Sequence, residues 1–291
     1  MNGAGFRVKP GMTNLVSLMK NLASFLLLAA ATLSHGAGPY EGPLFDAHLH
    51  YNDDAVARYS VGQVTELFRK NGVKAIIANS RPNDGSRALH DAKPVGVAVV
   101  PFIRVYRNRD DYGTWFNNPE IHEMIVTEHK RGIYRGIGEF HVFGKDASSE
   151  VVGKIVNFAV EKNLVLHAHC DDDALERLFA HNPKARIIWA HTGFTTPLAR
   201  VEELLAKYPQ MWGELSYRWD VAEGGTLSPG WKALFTRHPS RFLIGSDTWV
   251  NQRWDTYPQT LGNYRQWLGQ LPGDAAEQVA WKNGAGLFGL Q

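Results

Sequence analysis

The sequence predicts an α/β protein, a single-domain (β/α)₈ barrel of the TIM type that follows an N-terminal leader. Three observations predict it. Short apolar runs alternate with helix-length segments from Leu44 onward, several of those runs end in a histidine or a carboxylate, and the intervals between these ends follow one repeating unit. A content of 44% hydrophobic and 21% charged residues is that of a globular chain with enough apolar surface for one large core. The formal charge is only +2 and the basic residues are scattered, so the chain has no electrostatic footprint for nucleic acid. Cys170 is the sole cysteine, so no intramolecular disulfide can form and stability must rest on packing.

The first 37 residues read as targeting rather than fold. Lys20 precedes an apolar stretch from Leu22 to Leu33, and the small residues Gly36, Ala37 and Gly38 follow, which is the pattern of a signal peptide. Cleavage is expected near Ala37, with export to the periplasm or medium and no membrane anchor retained. Met19-Lys20 would open such a segment well, so residues 1–18 read as an upstream extension from a misplaced start codon. An uncleaved anchor is the alternative, but the run is short for a bilayer. The remaining domain, residues 44–291, has the usual barrel size of roughly 250 residues.

The opening strand, Leu44 to His50, ends in two histidines one residue apart. Side chains alternate along a strand, so His48 and His50 should share a face, and Asp46 with them. Val61 to Arg69 has a helical apolar face and Val73 to Asn79 is the second strand. Arg81 to Asp91 reads as a turn with a short helix, and Val95 to Arg104 as the third strand. The polar and aromatic stretch Tyr106 to Asn118 lacks a period and is expected to form a long loop over the mouth. Ile133 to Glu139, Leu164 to His169, Ile187 to His191, Trp212 to Ser216 and Phe242 to Ser246 complete eight strands. Between them, Val152, Ile155, Val156, Ala159 and Val160 mark one helix, and Asp171, Asp172 and Asp173 open the next, where negative charge suits the dipole. Thr196-Pro197 predicts a cap followed by proline at the first helical position of a helix buried through Leu198, Val201, Leu204 and Leu205. Trp231 to Thr236 is helical, and Asp274 to Phe288 reads as closing helices. No composition break marks a second domain.

The polar strand ends carry the chemistry: His50, Glu139, His167 or His169, His191 and Asp247. The interval from 139 to 167 is 28 residues, from 167 to 191 it is 24, and from 191 to 247 it is 56, two units spanning a strand at 212–216 read as ligand-free. In a closed parallel barrel all these ends meet at one mouth, whereas an open sheet would spread them into a row. A lone Glu139 would ordinarily be a solvated acid and a lone Asp247 a helix cap, but histidines and carboxylates on separate strands at one period are the donors that Zn²⁺ selects. Cys170 points away from this face and reads as a buried thiol.

Asp46-Ala47-His48-Leu49-His50, Gly138-Glu139, Leu166-His167-Ala168-His169, Ala190-His191-Thr192-Gly193 and Gly245-Ser246-Asp247 resemble, in order, the barrel-strand motifs of the amidohydrolase superfamily, in particular its amidohydrolase-related branch. The resemblance runs from about residue 44 to the C-terminus. It implies a distorted barrel holding one or two divalent metals, with zinc as the expected ion. His48, His50, Glu139, His167, His191 and Asp247 are then the candidate ligands, His167 is favoured over His169 on the metal, and His169 is left to touch substrate. Glu139 stands where many binuclear members carry a carboxylated lysine, so one-metal and two-metal sites both stay open. The implied activity is hydrolysis of an amide, lactone or ester bond by a metal-activated water, with Asp247 moving the proton and His191 polarising the carbonyl.

Arg104 and Arg218 sit after strands where a carboxylate of a small-molecule substrate could be gripped bidentately. Trp115, Phe116, Tyr217, Trp219, Trp249 and Trp254 lie in or beside the mouth loops and suggest an aromatic wall. Two other readings compete with hydrolysis: a decarboxylase of the same superfamily, and a non-catalytic periplasmic binding protein. The oligomeric state is not readable from the sequence.

Overall fold

The structure, a computed structural model, describes residues 38–290, so the leader expected at residues 1–37 lies outside the described residues. Eight parallel strands pair in chain order: β1 (Leu44–His50), β2 (Val73–Asn79), β3 (Ala98–Ile103), β4 (Gly136–His141), β5 (Val165–His169), β6 (Arg186–Trp189), β7 (Met211–Glu214) and β8 (Phe242–Leu243). The sheet closes on itself where Ala47 N donates to Ile244 O at 2.9 Å and Asp247 N donates to His48 O at 2.6 Å. The predicted barrel is therefore present.

Around it lie α1 (Asp53–Arg58), α2 (Val61–Lys70), α3 (Asp84–Asp91), α4 (Pro119–His129), α5 (Glu150–Glu161), α6 (Asp172–His181), α7 (Leu198–Lys207), α8 (Pro229–Arg237), α9 (Asn251–Asp255), α10 (Tyr257–Leu268), α11 (Gly273–Glu277) and α12 (Asn283–Phe288). Several begin on side-chain caps: Ser60 and Gln63 form a capping box on α2, Ser149 caps α5 and Asp171 caps α6. The alternation of side chains separates two apolar layers. Phe45, Ala75, Ile77, Val100, Phe102, Val165, Ile188 and Leu243 fill the barrel, and a larger cluster packs between strands and helices. Phe288 of α12 enters the inner layer from the start-of-strand end and stacks on Phe45, ring centroids 6.0 Å apart, so the C-terminal helix plugs that end.

Several expectations need correction. α4 lies in a stretch with no clear amphipathic signal, because only Ile121 and Ile125 are buried on it; its start is set instead by the Asn118 cap and Pro119 at the first position. The helical span of α10 also lacked a sequence expectation, and the eighth strand is shorter than Phe242 to Ser246, since the chain leaves the ladder after Leu243. At α7, Pro197 is itself the residue before the helix, and Thr196 does not cap it but donates to Gly193 O at 3.1 Å.

Besides a register shift at the start of β1, between Leu44 and Phe45, the pairing slips at two places beside the polar strand ends. From the pairing Asp46–Ile76 to Leu49–Ala78, β1 advances three residues while β2 advances two. From Gly138–His167 to Phe140–Ala168, β4 advances two while β5 advances one. Each is an extra residue in one strand, a bulge that re-aims a side chain. The bulge in β1 sends His48 and His50 inward but turns Asp46 away, to Ser246 N at 2.8 Å and the Tyr257 hydroxyl at 3.0 Å. Asp46 therefore does not share the histidine face.

Candidate metal centre

At the C-terminal mouth the ends of β1, β4 and the segment after β8 converge. His48 Nε2 lies 3.1 Å from His50 Nε2, 3.5 Å from Glu139 Oε1 and 3.4 Å from Asp247 Oδ1. His50 Nε2 lies 3.3 Å from Glu139 Oε2 and 3.0 Å from Asp247 Oδ1. Donors that bind Zn²⁺ at about 2.0–2.2 Å in a tetrahedron stand roughly 3.3 Å from one another, so this spacing fits a divalent ion. Glu139 also reaches a second set: His169 Nδ1 at 2.8 Å and His191 Nε2 at 3.6 Å, these two nitrogens being 3.2 Å apart. Glu139 thus stands between two groups of donors, His48 and His50 on one side and His169 and His191 on the other.

His167 is buried beneath His48, ring centroids 4.4 Å apart, and neither of its ring nitrogens has a hydrogen-bond partner. A buried imidazole with both nitrogens unpaired is costly, and ligation of an ion would relieve it. His167 and His169 therefore both face the site, and His169 is more than a substrate contact, because it belongs to the Glu139 and His191 group.

The electrostatics follow from packing so many titratable groups without water. Burial pushes the Glu139 and Asp247 carboxyls up, but the imidazoles around them, His141 and His48 for Glu139 and His48 and His50 for Asp247, more than reverse this and hold both below the usual carboxylate range. Burial opposes a charge on His48, yet Asp247, Glu139 and Glu214 keep its pKa well above the ordinary value. Burial lowers His167, with the His48 charge beside it adding to the effect, and likewise lowers His169. The carboxylates are thus ionised and His167 and His169 neutral, the states in which they can bind a cation.

The strand read as ligand-free, β7, carries Glu214, which is fully buried. Its Oε2 accepts from His48 Nδ1 at 2.9 Å, from His191 N at 3.1 Å and from Ser216 Oγ at 2.9 Å, and its Oε1 accepts from Ser216 N at 2.6 Å. With its oxygens so engaged, Glu214 holds His48 with Nε2 aimed at the site, the carboxylate support common behind metal-binding imidazoles. His191 Nδ1 is fixed in turn by Ser216 O at 2.8 Å, which leaves Nε2 facing the cavity. His141, also unpredicted, stacks on His169 with centroids 3.9 Å apart and receives the Tyr106 hydroxyl at 2.9 Å. The alternating pair Glu139 and His141 was the available signal, parallel to His48 and His50.

His191, Thr192, Phe194, Tyr217 and Asp247 all adopt positive φ, between 44° and 56°. Left-handed backbone is strained for such residues and is tolerated where the surroundings hold it, as at functional sites. Asp247 N is anchored on His48 O, which ties the loop after β8 to the metal-binding strand.

A cavity of about 620 Å³ opens above these groups, lined by Glu139, His169, His191 and Asp247 together with Arg104 and several loop residues. Arg104 reaches the cavity but is committed: it donates to Asn79 Oδ1 at 2.6 Å, contacts His50 Nδ1 and pairs with Glu139 Oε2 at 3.2 Å. Arg218 is placed otherwise than expected. Its guanidinium is buried against Trp231, donates to Thr192 O, Thr196 O and the Asp220 carboxylate, and is not among the cavity-lining groups. It ties together the loops after β6 and β7 through four hydrogen bonds and lies away from the cavity lining. Trp115 and Trp254 are likewise core residues, whereas Tyr217 and Trp249 do line the cavity.

A parallel eight-stranded barrel with a convergent histidine and carboxylate cluster at its C-terminal mouth defines a metal-dependent barrel enzyme. The amidohydrolase family model matches residues 129–290, more than half of the chain. The chain belongs to the amidohydrolase family, in its metal-dependent branch. Solved structures share the fold at low identity. An amidohydrolase from Burkholderia multivorans with bound zinc is 16% identical, with 86% of this chain and 100% of that chain covered and a TM-score of 0.57. A protein provisionally designated 2-pyrone-4,6-dicarboxylic acid hydrolase, from Pseudomonas putida, is 13% identical over 85% of this chain and 97% of that chain, with a TM-score of 0.56. Amidohydrolase 2 from Bifidobacterium longum subsp. infantis is 14% identical over 86% and 100%, with a TM-score of 0.52. No curated protein sequence matches the chain. Among the described residues, no helix is long and apolar enough to cross a membrane.

Proposed function

We propose that this chain is an exported hydrolase that cleaves an amide, lactone or ester bond of a small molecule, with one or two Zn²⁺ ions held by His48, His50, Glu139, His169, His191 and Asp247. The observation that carries the reading is that His48 and His50, themselves 3.1 Å apart, each stand 3.0–3.5 Å from both Glu139 and Asp247 on the cavity floor. His167, orphaned below them, is a further donor on the same floor. An ion of this class, when bound, lowers the pKa of water to about 7 and polarises a carbonyl oxygen.

The chain's own groups supply the rest. Asp247 remains ionised and lines the cavity, so its free carboxylate oxygen can accept a proton from the attacking water and return it to the leaving atom. His191 presents Nε2 to the cavity in an orientation fixed by Ser216 O. With a single ion held by His48, His50, Glu139 and Asp247, His191 Nε2 is free of metal; Glu139 beside it then favours the protonated ring against the effect of burial, and that form donates a hydrogen bond to oxygen charge developing on the substrate. Tyr112, Phe194, Tyr217 and Trp249 wall the cavity and limit water around the reacting bond.

The test is metal analysis of the purified protein beside a screen of lactones, amides and esters. The expected result is stoichiometric divalent metal and turnover, both lost in the His48→Ala/His50→Ala variant. Folded metal-free protein with undiminished turnover, or CO₂ release in place of a hydrolysed product, would overturn the reading.

A further inference from the structure

His141 lies at the mouth but, among the described residues, belongs to none of the groups of donors close enough to share an ion. It closes β4 two residues beyond Glu139 and lines the cavity with it. Its ring packs against two others, with centroids 3.9 Å from His169 and 4.5 Å from Tyr112, and its backbone is held by Trp115 Nε1, which donates to His141 O at 2.8 Å. The side chain is thus fixed in place and only 12% exposed. Its two nitrogens differ. Nδ1 meets the Tyr106 hydroxyl at 2.9 Å, the one hydrogen-bond partner of the ring among the described residues. Nε2 stands 3.9 Å from Glu139 Oε1, beyond hydrogen-bond length, and is open to the cavity rather than sealed.

The Tyr106 hydroxyl decides which nitrogen of His141 carries a hydrogen. That hydroxyl has a single hydrogen to give, and its oxygen accepts from the His141 backbone N at 2.7 Å. Tyr106 is fully buried, and His141 supplies both partners of its hydroxyl. Were Nδ1 to carry a hydrogen as well, the oxygen would face two donors and its own hydrogen, shut away from water, would have no acceptor. Burial pushes the Tyr106 phenol up, so that hydrogen is not lost. All the groups are satisfied in one arrangement: Tyr106 accepts from the backbone N–H and donates to Nδ1, and the neutral ring carries its hydrogen on Nε2. A ring nitrogen that carries a hydrogen has no lone pair for a metal, but it can donate.

We propose that His141 is a fixed, neutral hydrogen-bond donor for an oxygen of the substrate and not a metal ligand, with Tyr106 as the positioning residue that holds the hydrogen on Nε2. The proposal rests on the hydrolase reading for the molecule that enters the cavity, whereas the state of the ring is independent of it. His141 and His191 then differ in kind. A second ion would take up His191 Nε2, but His141 keeps its donor whether one ion or two are bound. Because Tyr106 prevents the ring from turning Nε2 into an acceptor, the cavity beside Glu139 and His169 favours a substrate with a carbonyl, carboxylate or hydroxyl oxygen at that point. It disfavours one that places an amino group there, which would leave two donors face to face.

The experiment reads the ring nitrogens directly by nuclear magnetic resonance of protein labelled with nitrogen-15 at its histidines, in which bare and hydrogen-bearing nitrogens give well-separated signals. The His141 pair is identified by its absence from His141→Gln. Wild-type protein, both metal-free and zinc-loaded, should show a hydrogen on Nε2 and a bare Nδ1, and Tyr106→Phe should lose this single state. Acetate, the acid fragment that hydrolysis of a simple amide or ester leaves, should shift the Nε2–H signal of the zinc-loaded protein. It should bind roughly 10-fold more weakly to His141→Phe, while His141→Gln, whose amide keeps a donor, stays close to wild type. A hydrogen on Nδ1 in the wild type, zinc bound to His141 Nε2, or undiminished acetate affinity in His141→Phe would overturn the proposal. Zinc content is measured in the same samples. Failure to bind zinc with the Nε2–H signal in place counts against the hydrolase reading alone, and zinc in place without that signal counts against the donor alone.

Discussion

Glu214 illustrates how a residue can govern the site without facing the substrate. It sits behind His48 and donates nothing to the cavity, yet it fixes which ring nitrogen of His48 faces the ion and which way the ring points. Replacement of Glu214 by Gln keeps the shape and removes the charge that favours the Nδ1 proton. Loss of such a partner typically weakens metal binding by about 10–100-fold. Competition with a chromophoric chelator should show that drop in Glu214→Gln, with far-UV circular dichroism unchanged; wild-type affinity would refute the role. The sequence shows Glu214 only as a polar letter at the end of an apolar strand, and the β7 interval was read as empty because no histidine marks it. His48, His50, Glu139, His167, His191 and Asp247 were legible as polar strand ends that meet at one mouth, because residue type and strand period coincide there, whereas His169 reads as a substrate contact and not as part of the Glu139 and His191 group. Arg218 was misplaced because its donors are satisfied by carbonyls of neighbouring loops and by Asp220, contacts that only tertiary structure creates.

The loop between β3 and α4 was legible as a loop over the mouth, but not the device that shapes it. Within 106–118 the chain makes two 3₁₀ turns, and Trp115 is buried beneath with its Nε1 donating to His141 O at 2.8 Å. Arg107 donates to Asp111 through its backbone N, its Nε and its Nη2, at 2.7, 3.0 and 2.8 Å. The Arg107 guanidinium beside Asp111 holds its carboxyl below the usual range. The folded-state pKa is thus depressed, so the stabilisation is complete above the unfolded carboxyl value of about 3.9 and is lost as pH falls through the lower folded value. Hydrogen exchange of the 106–118 amides, corrected for intrinsic rates, should show protection at pH 5 that is reduced at pH 3, and Asp111→Asn should show reduced protection already at pH 5. Equal protection in Asp111→Asn would dismiss this pair as the clasp. Tyr112 lies within this loop, so its packing on His141 depends on the same pair.

The barrel as a whole was legible because its strands repeat and its core positions alternate, and these patterns survive local irregularity. Its closure at the start-of-strand end was less so. Asp274 to Phe288 reads as closing helices, but nothing in the pattern says that Phe288 leaves the outer layer and stacks on Phe45 inside the barrel. Replacement of a buried Phe by Ala costs about 3–5 kcal/mol. For a domain of this size Phe288→Ala should lower Tm by on the order of 10 °C. Metal content at room temperature should stay that of the wild type, since the plug and the metal centre lie at opposite ends. A scanning calorimetry trace with unchanged Tm would show that the end of the chain is not part of the cooperative core.

The bulge in β1 also bears on how such barrels diverge. Asp46 and His48 are two letters apart but stand on opposite sides of the wall, because the extra residue puts the two halves of the strand out of phase. A single-residue deletion between them would change composition and hydropathy hardly at all, yet it would exchange the face buried under α10 for the face that binds metal. In descent or in grafting, the heritable unit is therefore the whole heptapeptide Leu44–His50 with its irregularity, together with the Gly245-Ser246-Asp247 segment that grips it. Point substitutions can drift within that unit, whereas gaps cannot enter it.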